Sequence, residues 1–257
     1  MEPRHLSRGY VPKSPDRHGG KPGLRIVTWN CRIGGFRYKS EHMEKLKPDV
    51  LAVQEVEPLD GVLLFAGETQ PTFRDRVADP AYPRRAIGVF SYTDTQLEPV
   101  DVADPLYCFR RYEASRGDLA FNVVGVWTAA TDVSEISYMQ AIEGLRAHQA
   151  WIRERPTVIL GDFNDNASYR TTNMPELLTL MESLGLVSAY HHHSSEEFGK
   201  ETRPTHFHHG KVESSWHLDY VFLPEAWVPH IQMVEVGRHE DWHHVSDHVP
   251  LIVDLDL

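Results

Sequence analysis

The chain has 257 residues, 41% of them hydrophobic and 25% charged, which is typical of a globular protein and argues against a disordered or fibrous chain. Its formal net charge of −11 argues against tight non-specific binding to duplex nucleic acid, since such binding usually needs a basic face. The two cysteines, Cys31 and Cys108, exclude a disulfide framework and a cysteine-rich zinc motif.

The first 23 residues are rich in proline, glycine and charge, and they predict a flexible arm ahead of one domain at 24–257. No apolar run approaches the roughly 20 residues needed to cross a bilayer, so we expect no membrane span. The start of the chain also lacks the apolar stretch of a secretory signal. We therefore expect a cytoplasmic location, and we predict no obligate protein partner.

Short runs rich in apolar, β-branched or aromatic residues predict eight strands. They cover residues 24–30, 50–55, 86–91, 119–127, 157–161, 216–223, 231–236 and 249–255. Three helical patterns lie between them, at 41–47, 136–153 and 175–184. The first two end before a proline, and the third begins with Pro175 and ends at Gly185.

The order of these elements is neither strictly alternating nor divided into a block of strands and a block of helices. Several strands are apolar throughout, which indicates that they are buried on both faces. Two sheets packed face to face, with helices covering the outsides, fit this pattern better than a single open sheet. Because both halves of the chain supply polar groups at strand ends, we expect one domain with a site at one edge of the sandwich.

Five polar motifs stand at the ends of apolar runs. They are Thr28-Trp29-Asn30, Gln54-Glu55, Gly161-Asp162-Phe163-Asn164, His217-Leu218-Asp219-Tyr220 and Ser246-Asp247-His248. A buried strand that ends in a carboxylate or an amide directs that group into a cleft. Because hard cations prefer oxygen ligands, the set predicts a Mg²⁺ site suited to the hydrolysis of phosphate esters.

The motifs predict distinct roles. The carboxylate of Glu55 is a ligand type that suits Mg²⁺. Asp162 and Asn164 are two residues apart and can point to the same side, where a carboxylate beside an amide positions and deprotonates a water. His248 can donate to a phosphate oxygen if a second carboxylate holds it protonated, and Asp219 is the candidate. Taken singly, each motif is also consistent with a solvated strand end or a polar turn.

Taken together, the order and contexts of these motifs resemble the endonuclease/exonuclease/phosphatase superfamily. The resemblance extends over about residues 24–257, and the run 85–91 is similar to the strand that follows the glutamate motif in that family. It implies a four-layered α/β sandwich, with two packed mixed β-sheets flanked by helices. It also implies Mg²⁺-dependent cleavage of a phosphodiester or phosphomonoester, with Mn²⁺ as the alternative ion. The sequence does not say whether one or two ions act.

The resemblance implies a role for each matching residue. The metal site would include Asn30, Glu55 and Asp247. Asp162 would orient or deprotonate the attacking water, and Asn164 would hold the scissile phosphate or that water. His248 would stabilise the transition state, and Asp219 would orient it.

The chain departs from the family at the end of its central strand, where many members place a His or Tyr against the scissile phosphate. Here that position holds Trp127, whose indole donates one hydrogen bond but cannot accept or transfer a proton. Either the indole donates to the phosphate, or Tyr138, His206 or His217 takes over, or the activity is weakened. Arg203 lies in a region that often forms a substrate-facing loop in such enzymes, so it is a further candidate for substrate contact.

Four functions stay open from the sequence. The first is a DNA or RNA nuclease, and the second is a phosphodiesterase or phosphatase for small molecules or phospholipid head groups, which the acidic charge favours. The third is a binding protein that has lost the chemistry, a reading that rests on Trp127. The fourth is a zinc hydrolase built on the histidine clusters at 191–193, 206–209 and 243–244. Adjacent histidines on an extended strand point to opposite faces, which disfavours a single zinc site.

Overall fold

The computed structural model describes residues 23–60, 64–78, 86–100, 108–128 and 134–257, with side chains from Ala141 onward in the last range. The predicted N-terminal arm, apart from Gly23, lies outside the described residues. Arg85 of the run 85–91 lies outside them as well, and so does the side chain of Tyr138.

Fourteen strands occur in the described residues. They are β1 (Leu24–Asn30), β2 (Val50–Gln54), β3 (Phe73–Ala78), β4 (Ala86–Ser91), β5 (Gln96–Pro99), β6 (Phe109–Arg116), β7 (Leu119–Trp127), β8 (Thr157–Asp162), β9 (Leu186–Ser188), β10 (His206–Phe207), β11 (Ser215–Trp216), β12 (Asp219–Pro224), β13 (Ile231–Val236) and β14 (Leu251–Leu255).

Twelve of these strands form two six-stranded mixed sheets, and β10 pairs with β11 in a short antiparallel ribbon. The first sheet has the strand order β13-β14-β1-β2-β4-β3, and the second has the order β5-β6-β7-β8-β12-β9. Each sheet has a central parallel pair, β1 with β2 in the first and β7 with β8 in the second. The two parallel pairs therefore have their carboxyl ends available for a shared site.

The central strands are buried on both faces, as their apolar sequences predict. Every residue of β1, β2, β4 and β8 is buried. One hydrophobic cluster includes side chains of both sheets, and a second combines side chains of the second sheet with those of its covering helices. Burying each Val, Leu or Ile contributes about 1.5–3 kcal/mol, so these clusters are the main source of stability.

Within the described ranges, six α-helices flank the sheets. They are α1 (Phe36–Leu46), α2 (Ser134–Ala147), α3 (Gln149–Glu154), α4 (Met174–Ser183), α5 (Ala189–Ser194) and α6 (His239–Trp242). Phe36 of α1 packs on Trp29 and Phe90 of the first sheet, and α2 contacts α4 over the second. The predicted α/β sandwich of two packed mixed sheets between helices is confirmed. None of the helices in the described residues has the length and apolar character that crossing a membrane requires.

The predicted strand 216–223 is wrong, because the structure divides it into β11 and β12. The backbone N–H groups of Leu218 and Asp219 both donate to the Thr205 hydroxyl, at 2.9 and 3.0 Å, in place of a strand partner. The predicted strand 249–255 begins only at Leu251, since the N–H of Val249 donates to the carbonyl of the same Thr205 at 2.8 Å.

Two predicted helices have different bounds. The predicted helix 136–153 is two helices, because His148 leaves the helical region with a φ of −111° and its ring stacks on Phe109. The helix predicted at 41–47 begins earlier, at Phe36. The Glu57 carboxylate accepts hydrogen bonds from the N–H groups of Phe36 and Arg37, which the first turn of a helix leaves unpaired.

Candidate active site

The polar motifs meet at the edge of the sandwich where the two parallel pairs end. Asn30 and Glu55 stand at the ends of β1 and β2, and Trp127 and Asp162 end β7 and β8. Asp219 begins the antiparallel strand β12 at the same edge. Trp127 and Asp219 are the register partners of Asp162 on its two sides, so the three side chains lie on one face of the second sheet.

Asp162 is fully buried and holds three hydrogen bonds. Its Oδ1 accepts from the backbone N–H of Asn164 at 2.9 Å, and its Oδ2 accepts from the side-chain amides of Asn30 and Asn164, both at 2.9 Å. Burial is the largest cause that raises the pKa of Asp162, to about 7. The preceding residue must be glycine, because a Cβ at Gly161 would stand 1.9 Å from the carbonyl oxygen of Val126.

His248 lies between two carboxylates. Its Nδ1 is 2.8 Å from Oδ2 of Asp219, and its Nε2 is 4.0 Å from Oδ2 of Asp162. Burial by itself lowers the pKa of His248, but the carboxylates of Asp219 and Asp162 outweigh it and raise the pKa to about 9. The ring is therefore an imidazolium at neutral pH, and its Nδ1–H donates to Asp219.

The three side chains form one electrostatic unit. Asp162 and Asp219 face each other across neighbouring strands, and the charge of Asp219 is the second cause that raises the pKa of Asp162. The imidazolium of His248 offsets this repulsion. Their ligand atoms lie within 4.8 Å of one another, close enough for a metal ion, but a protonated imidazole has no lone pair for one. The two carboxylates that raise the pKa of His248 thus favour an acid–base group at this position.

Glu55 places a partly exposed carboxylate at the same edge of the sandwich. Its backbone is left-handed, with a φ of 62°, and its carboxylate is held by the N–H of Ile33 at 2.6 Å and the amide of Asn30 at 3.3 Å. The Asn30 amide therefore links Glu55 to Asp162. A partly exposed carboxylate beside a buried one fits a hard divalent ion, which prefers oxygen ligands.

Asp247 supplies a second carboxylate, whose side chain is 19% exposed. Its Oδ2 is 3.3 Å from Nε of Arg32, and the backbone N–H of Arg32 donates to the Asn30 Oδ1 at 2.9 Å. Asp247 also contributes to the raised pKa of His248. These contacts place Asp247 beside the residues predicted to hold the metal.

Trp127 carries a buried donor at the site. The residue is 8% exposed, and its indole Nε1 has no hydrogen-bond partner among the described residues. An unpaired buried N–H costs about 1–3 kcal/mol. The cost is offset if a bound oxyanion accepts the hydrogen bond, and the register with Asp162 puts Trp127 on the face where that oxyanion would lie.

The structure does not bring His217 and Arg203 into this group. The His217 ring is buried against Tyr190, with ring centres 4.4 Å apart, and its Nδ1 donates to the carbonyl of Arg203 at 2.8 Å. Burial lowers the pKa of His217, so the ring is neutral. The Arg203 side chain is exposed and lines a depression beside Tyr190 and Arg238. The expectation that both contact substrate finds no support in these contacts.

Three residues that received no firm role from the sequence support the site. The Ser246 hydroxyl donates to the carbonyl of Asn30 at 2.7 Å and accepts from the N–H of His248 at 3.1 Å. The Thr205 hydroxyl accepts from the backbone N–H of Asp219, the first residue of β12. The ring of His206 lies 4.5 Å from that of His248, and burial, followed by the charge of His248, lowers the pKa of His206 to about 3. The sequence places Ser246 within the last motif and offers His206 as an alternative to Trp127, but it gives no signal for Thr205.

Comparisons with known proteins show the family and the fold of this chain. A sequence comparison with curated proteins found no match. Among solved structures, an AP endonuclease, LMAP from Leishmania major, aligns with a TM-score of 0.72 at 13% identity, covering 97% of this chain and 92% of that one. The endonuclease domain of TRAS1, a telomere-specific non-LTR retrotransposon, aligns with a TM-score of 0.65 at 13% identity, covering 92% and 99%.

A third solved structure is the 3′ phosphatase NExo from Neisseria bound to a product DNA hairpin. It aligns with a TM-score of 0.64 at 16% identity, covering 91% of this chain and all of that one. Identities this low establish the shared fold alone. The model of the Endonuclease/Exonuclease/phosphatase family matches residues 27–248, a range that includes every residue of the site, from Asn30 to His248. The chain therefore belongs to the Endonuclease/Exonuclease/phosphatase family.

Proposed function

We propose that this protein is a Mg²⁺-dependent nuclease that cleaves phosphodiester bonds by attack of an activated water, with Mn²⁺ as the alternative ion. The observation that carries the proposal is the placement of His248 between Asp162 and Asp219, with Glu55 linked to Asp162 through Asn30. This arrangement supplies a base, a cationic donor and a metal ligand at one edge. The cytoplasmic location, the single domain and the lack of an obligate partner stay predictions.

Asp162 is the proposed general base. A carboxylate whose pKa lies near neutrality accepts a proton from water more readily than an ordinary one. The water oxygen then bonds to phosphorus, the proton passes to Asp162, and the ester oxygen leaves with the bonding electrons. Asn164 donates its amide hydrogens to Asp162 and to the carbonyl of Thr128, at 2.9 and 2.6 Å, which suits a residue that positions the base. We therefore propose that Asn164 positions the carboxylate of Asp162 and does not hold the phosphate.

His248 is the proposed stabiliser of the transition state. Negative charge builds on the non-bridging oxygens during attack, and a fixed cationic donor in a buried site stabilises that charge. Asp219 keeps the ring charged and oriented through the hydrogen bond to Nδ1. The indole of Trp127 would add a neutral donor to the same oxygens.

The residues that would hold the metal are Glu55 and Asp247, with Asn30 orienting the Glu55 carboxylate. When bound, the ion supplies a Lewis acid that neutralises the phosphate and the leaving oxygen. The all-oxygen donor set matches Mg²⁺ or Mn²⁺ better than it matches zinc.

Nucleic acid is the proposed substrate because two of the structural neighbours are endonucleases and the third is a 3′ phosphatase bound to a product DNA hairpin. The second candidate is a small phosphodiester or phosphomonoester. The net charge of −11 favours it, since the acidic surface outside the site would repel a long polyanion.

The test is a substrate panel with metal-stripped protein, to which Mg²⁺ or Mn²⁺ is returned. The panel contains single- and double-stranded oligonucleotides, bis-p-nitrophenyl phosphate and p-nitrophenyl phosphate. Ion-dependent cleavage of oligonucleotides that weakens steeply with added salt supports the nuclease. Turnover of the small diester without any oligonucleotide cleavage would assign the second candidate. No turnover of any member, with no Mg²⁺ binding by calorimetry, would contradict both.

A further inference from the structure

A second histidine feature lies on α6 and plays no part in the proposed hydrolysis. The helix reads His239-Glu240-Asp241-Trp242, and His243 follows it with helical backbone angles, so the segment is H-E-x-x-H. Two histidines four residues apart on a helix lie on one face and can bind one metal ion together. A sequence motif of this kind is weak evidence alone, and the structure adds two further observations.

The first observation is the state of the two rings. Nε2 of His239 is 3.1 Å from the carbonyl oxygen of Gly210, and Nδ1 of His243 is 3.1 and 3.2 Å from the carbonyl oxygens of His239 and Glu240. A carbonyl oxygen only accepts hydrogen bonds, so each of these nitrogens carries the proton. In the neutral rings, Nδ1 of His239 and Nε2 of His243 therefore keep lone pairs. Histidines that bind metals typically donate their other ring N–H in this way.

The second observation is the spacing of the rings. The ring centres of His239 and His243 lie 5.2 Å apart, and the planes are inclined by 30°. Two imidazoles on one tetrahedral ion, each with its nitrogen ~2.0–2.1 Å from the ion, place their ring centres about 5 Å apart. The observed separation of the two ring centres therefore matches that of two imidazoles on one ion.

The surroundings hold the pair in place. The ring of His239 packs on Phe207 at 4.4 Å, and the neighbouring Trp242 is buried against Trp29, with ring centres 5.4 Å apart. The ring of His244 lies 5.8 Å from that of His243. A half-exposed His239 and an exposed His243 leave the site open to ions from solvent.

We propose that His239 and His243 form a site for a borderline transition-metal ion such as Zn²⁺, bound through Nδ1 of His239 and Nε2 of His243. Imidazole suits Zn²⁺, Ni²⁺ and Cu²⁺, whereas Mg²⁺ prefers oxygen, so this site and the hydrolytic one select different ions. Two protein ligands leave the remaining positions of the ion to water, so the ion exchanges. The helix α6 has four residues and is only one turn long. We therefore assign metal binding to the two histidines of the motif, and we assign no peptidase role to Glu240.

The experiment is calorimetric titration of the metal-stripped full-length protein with ZnCl₂ near neutral pH in the presence of saturating Mg²⁺. We expect one ion per chain at this site. His239→Ala and His243→Ala should each weaken binding at least about tenfold, the loss that removal of even an outer partner of a metal ligand typically causes. The matched control is the double variant His192→Ala with His193→Ala, which removes two exposed adjacent imidazoles of α5 and should leave the affinity unchanged.

Three outcomes would overturn the site. They are unchanged zinc affinity in the double variant of His239 and His243, equal loss in the α5 control, and zinc binding that disappears in Asp219→Asn but survives in His239→Ala. The last would move the ion to the buried group of Asp162, Asp219 and His248. Thermal unfolding of each variant checks that the fold is kept, and none of these measurements depends on hydrolytic activity.

Discussion

Nδ1 of His248 lies 2.8 Å from Oδ2 of Asp219, and both residues are buried. Asp219 begins β12 of the second sheet, and His248 lies in the segment that leads into β14 of the first. The hydrogen bond is therefore a direct link between the two sheets at the site. It also fixes which ring nitrogen points toward Asp162. Asp219 thus orients the ring of His248, and it is the first of the carboxylates that raise the pKa of that ring.

Replacing that carboxylate should change the pH dependence of hydrolysis. Asp162 accepts a proton only when ionised, so kcat/KM should rise as the pH increases through about 7, and His248 stays charged until the pH exceeds about 9. In Asp219→Asn the pKa of His248 falls, so the alkaline limb should move to lower pH. The maximal rate should fall by about 10²–10³, as for loss of one transition-state donor. A variant profile that overlies the wild-type profile would refute the role of Asp219.

Glu55→Gln should raise the Mg²⁺ concentration needed for half-maximal activity, because the amide keeps the size of the side chain but loses its charge. The matched control is Glu57→Gln. Its carboxylate accepts hydrogen bonds from the first turn of α1, at 2.7 and 2.9 Å, so its loss should lower the melting temperature and leave the Mg²⁺ requirement alone. Titration of the activity of both variants with Mg²⁺ measures the Mg²⁺ requirement, and thermal unfolding measures the melting temperature. Identical Mg²⁺ curves for Glu55→Gln and wild type would exclude Glu55 as a ligand.

Trp127→Phe should separate catalysis from stability. The indole N–H has no hydrogen-bond partner in the part of the chain that the structure describes, so its removal should not lower the melting temperature. If the N–H donates to the phosphate, kcat/KM should fall about 10–100-fold, the worth of a hydrogen bond to a charged group. Steady-state kinetics with melting curves measure the two effects. Full activity in a stable variant would reduce Trp127 to a core aromatic residue.

Glu201→Gln should lower stability away from the active site. The Glu201 carboxylate accepts from Nε2 of His191 at 3.1 Å, from the N–H of Gly199 at 2.9 Å and from the amide of Asn166 at 3.1 Å. Burial opposes its ionisation, but these hydrogen bonds lower the pKa of Glu201 to about 2. The variant should lose about 1.5–3 kcal/mol of unfolding free energy at neutral pH.

The sign of this effect can be checked with pH. Because the folded pKa of Glu201 is depressed, its stabilisation is present above the ordinary carboxyl pKa and is lost as the pH falls toward about 2. The difference between wild type and Glu201→Gln, measured by urea unfolding, should therefore shrink in acid. A difference that stays constant across this range would show that ionisation of Glu201 contributes nothing.

The sequence predicted the two-sheet fold because the central strands are apolar throughout, and β1, β4, β7 and β13 have the predicted bounds. It did not predict β6, since three arginines in eight residues obscured the pattern. The structure buries two of them: Arg110 pairs with Asp75 at 3.4 Å, and Arg111 lies over the Trp151 ring. These partners are remote in sequence, and they stabilise the buried charges within the strand. A short segment of sequence around β6 therefore does not reveal them.

The site was predicted in its residue types but not in its contacts. The motifs identified Asp162, Asp219 and His248 because each follows or precedes an apolar run. The carboxylate of Glu55 accepts from the backbone N–H of Ile33, and the side-chain amide of Asn164 donates to the carbonyl of Thr128. Both contacts join residues remote in sequence, so the motifs alone could not reveal them. His217 shares a motif with Asp219 yet turns into an aromatic cluster, because the strand is interrupted between them.

The most direct test of the central claim is the rate of oligonucleotide cleavage by Asp162→Asn in saturating Mg²⁺, measured in a single turnover. The asparagine keeps a side chain of the same shape but cannot accept the proton of water, so we expect the rate to fall by at least about 10², the lower end of what a general base contributes. Circular dichroism and Mg²⁺ titration of the same variant check that the fold and the ion are retained. A rate equal to that of wild type would contradict the assignment of this edge of the sandwich as the hydrolytic centre.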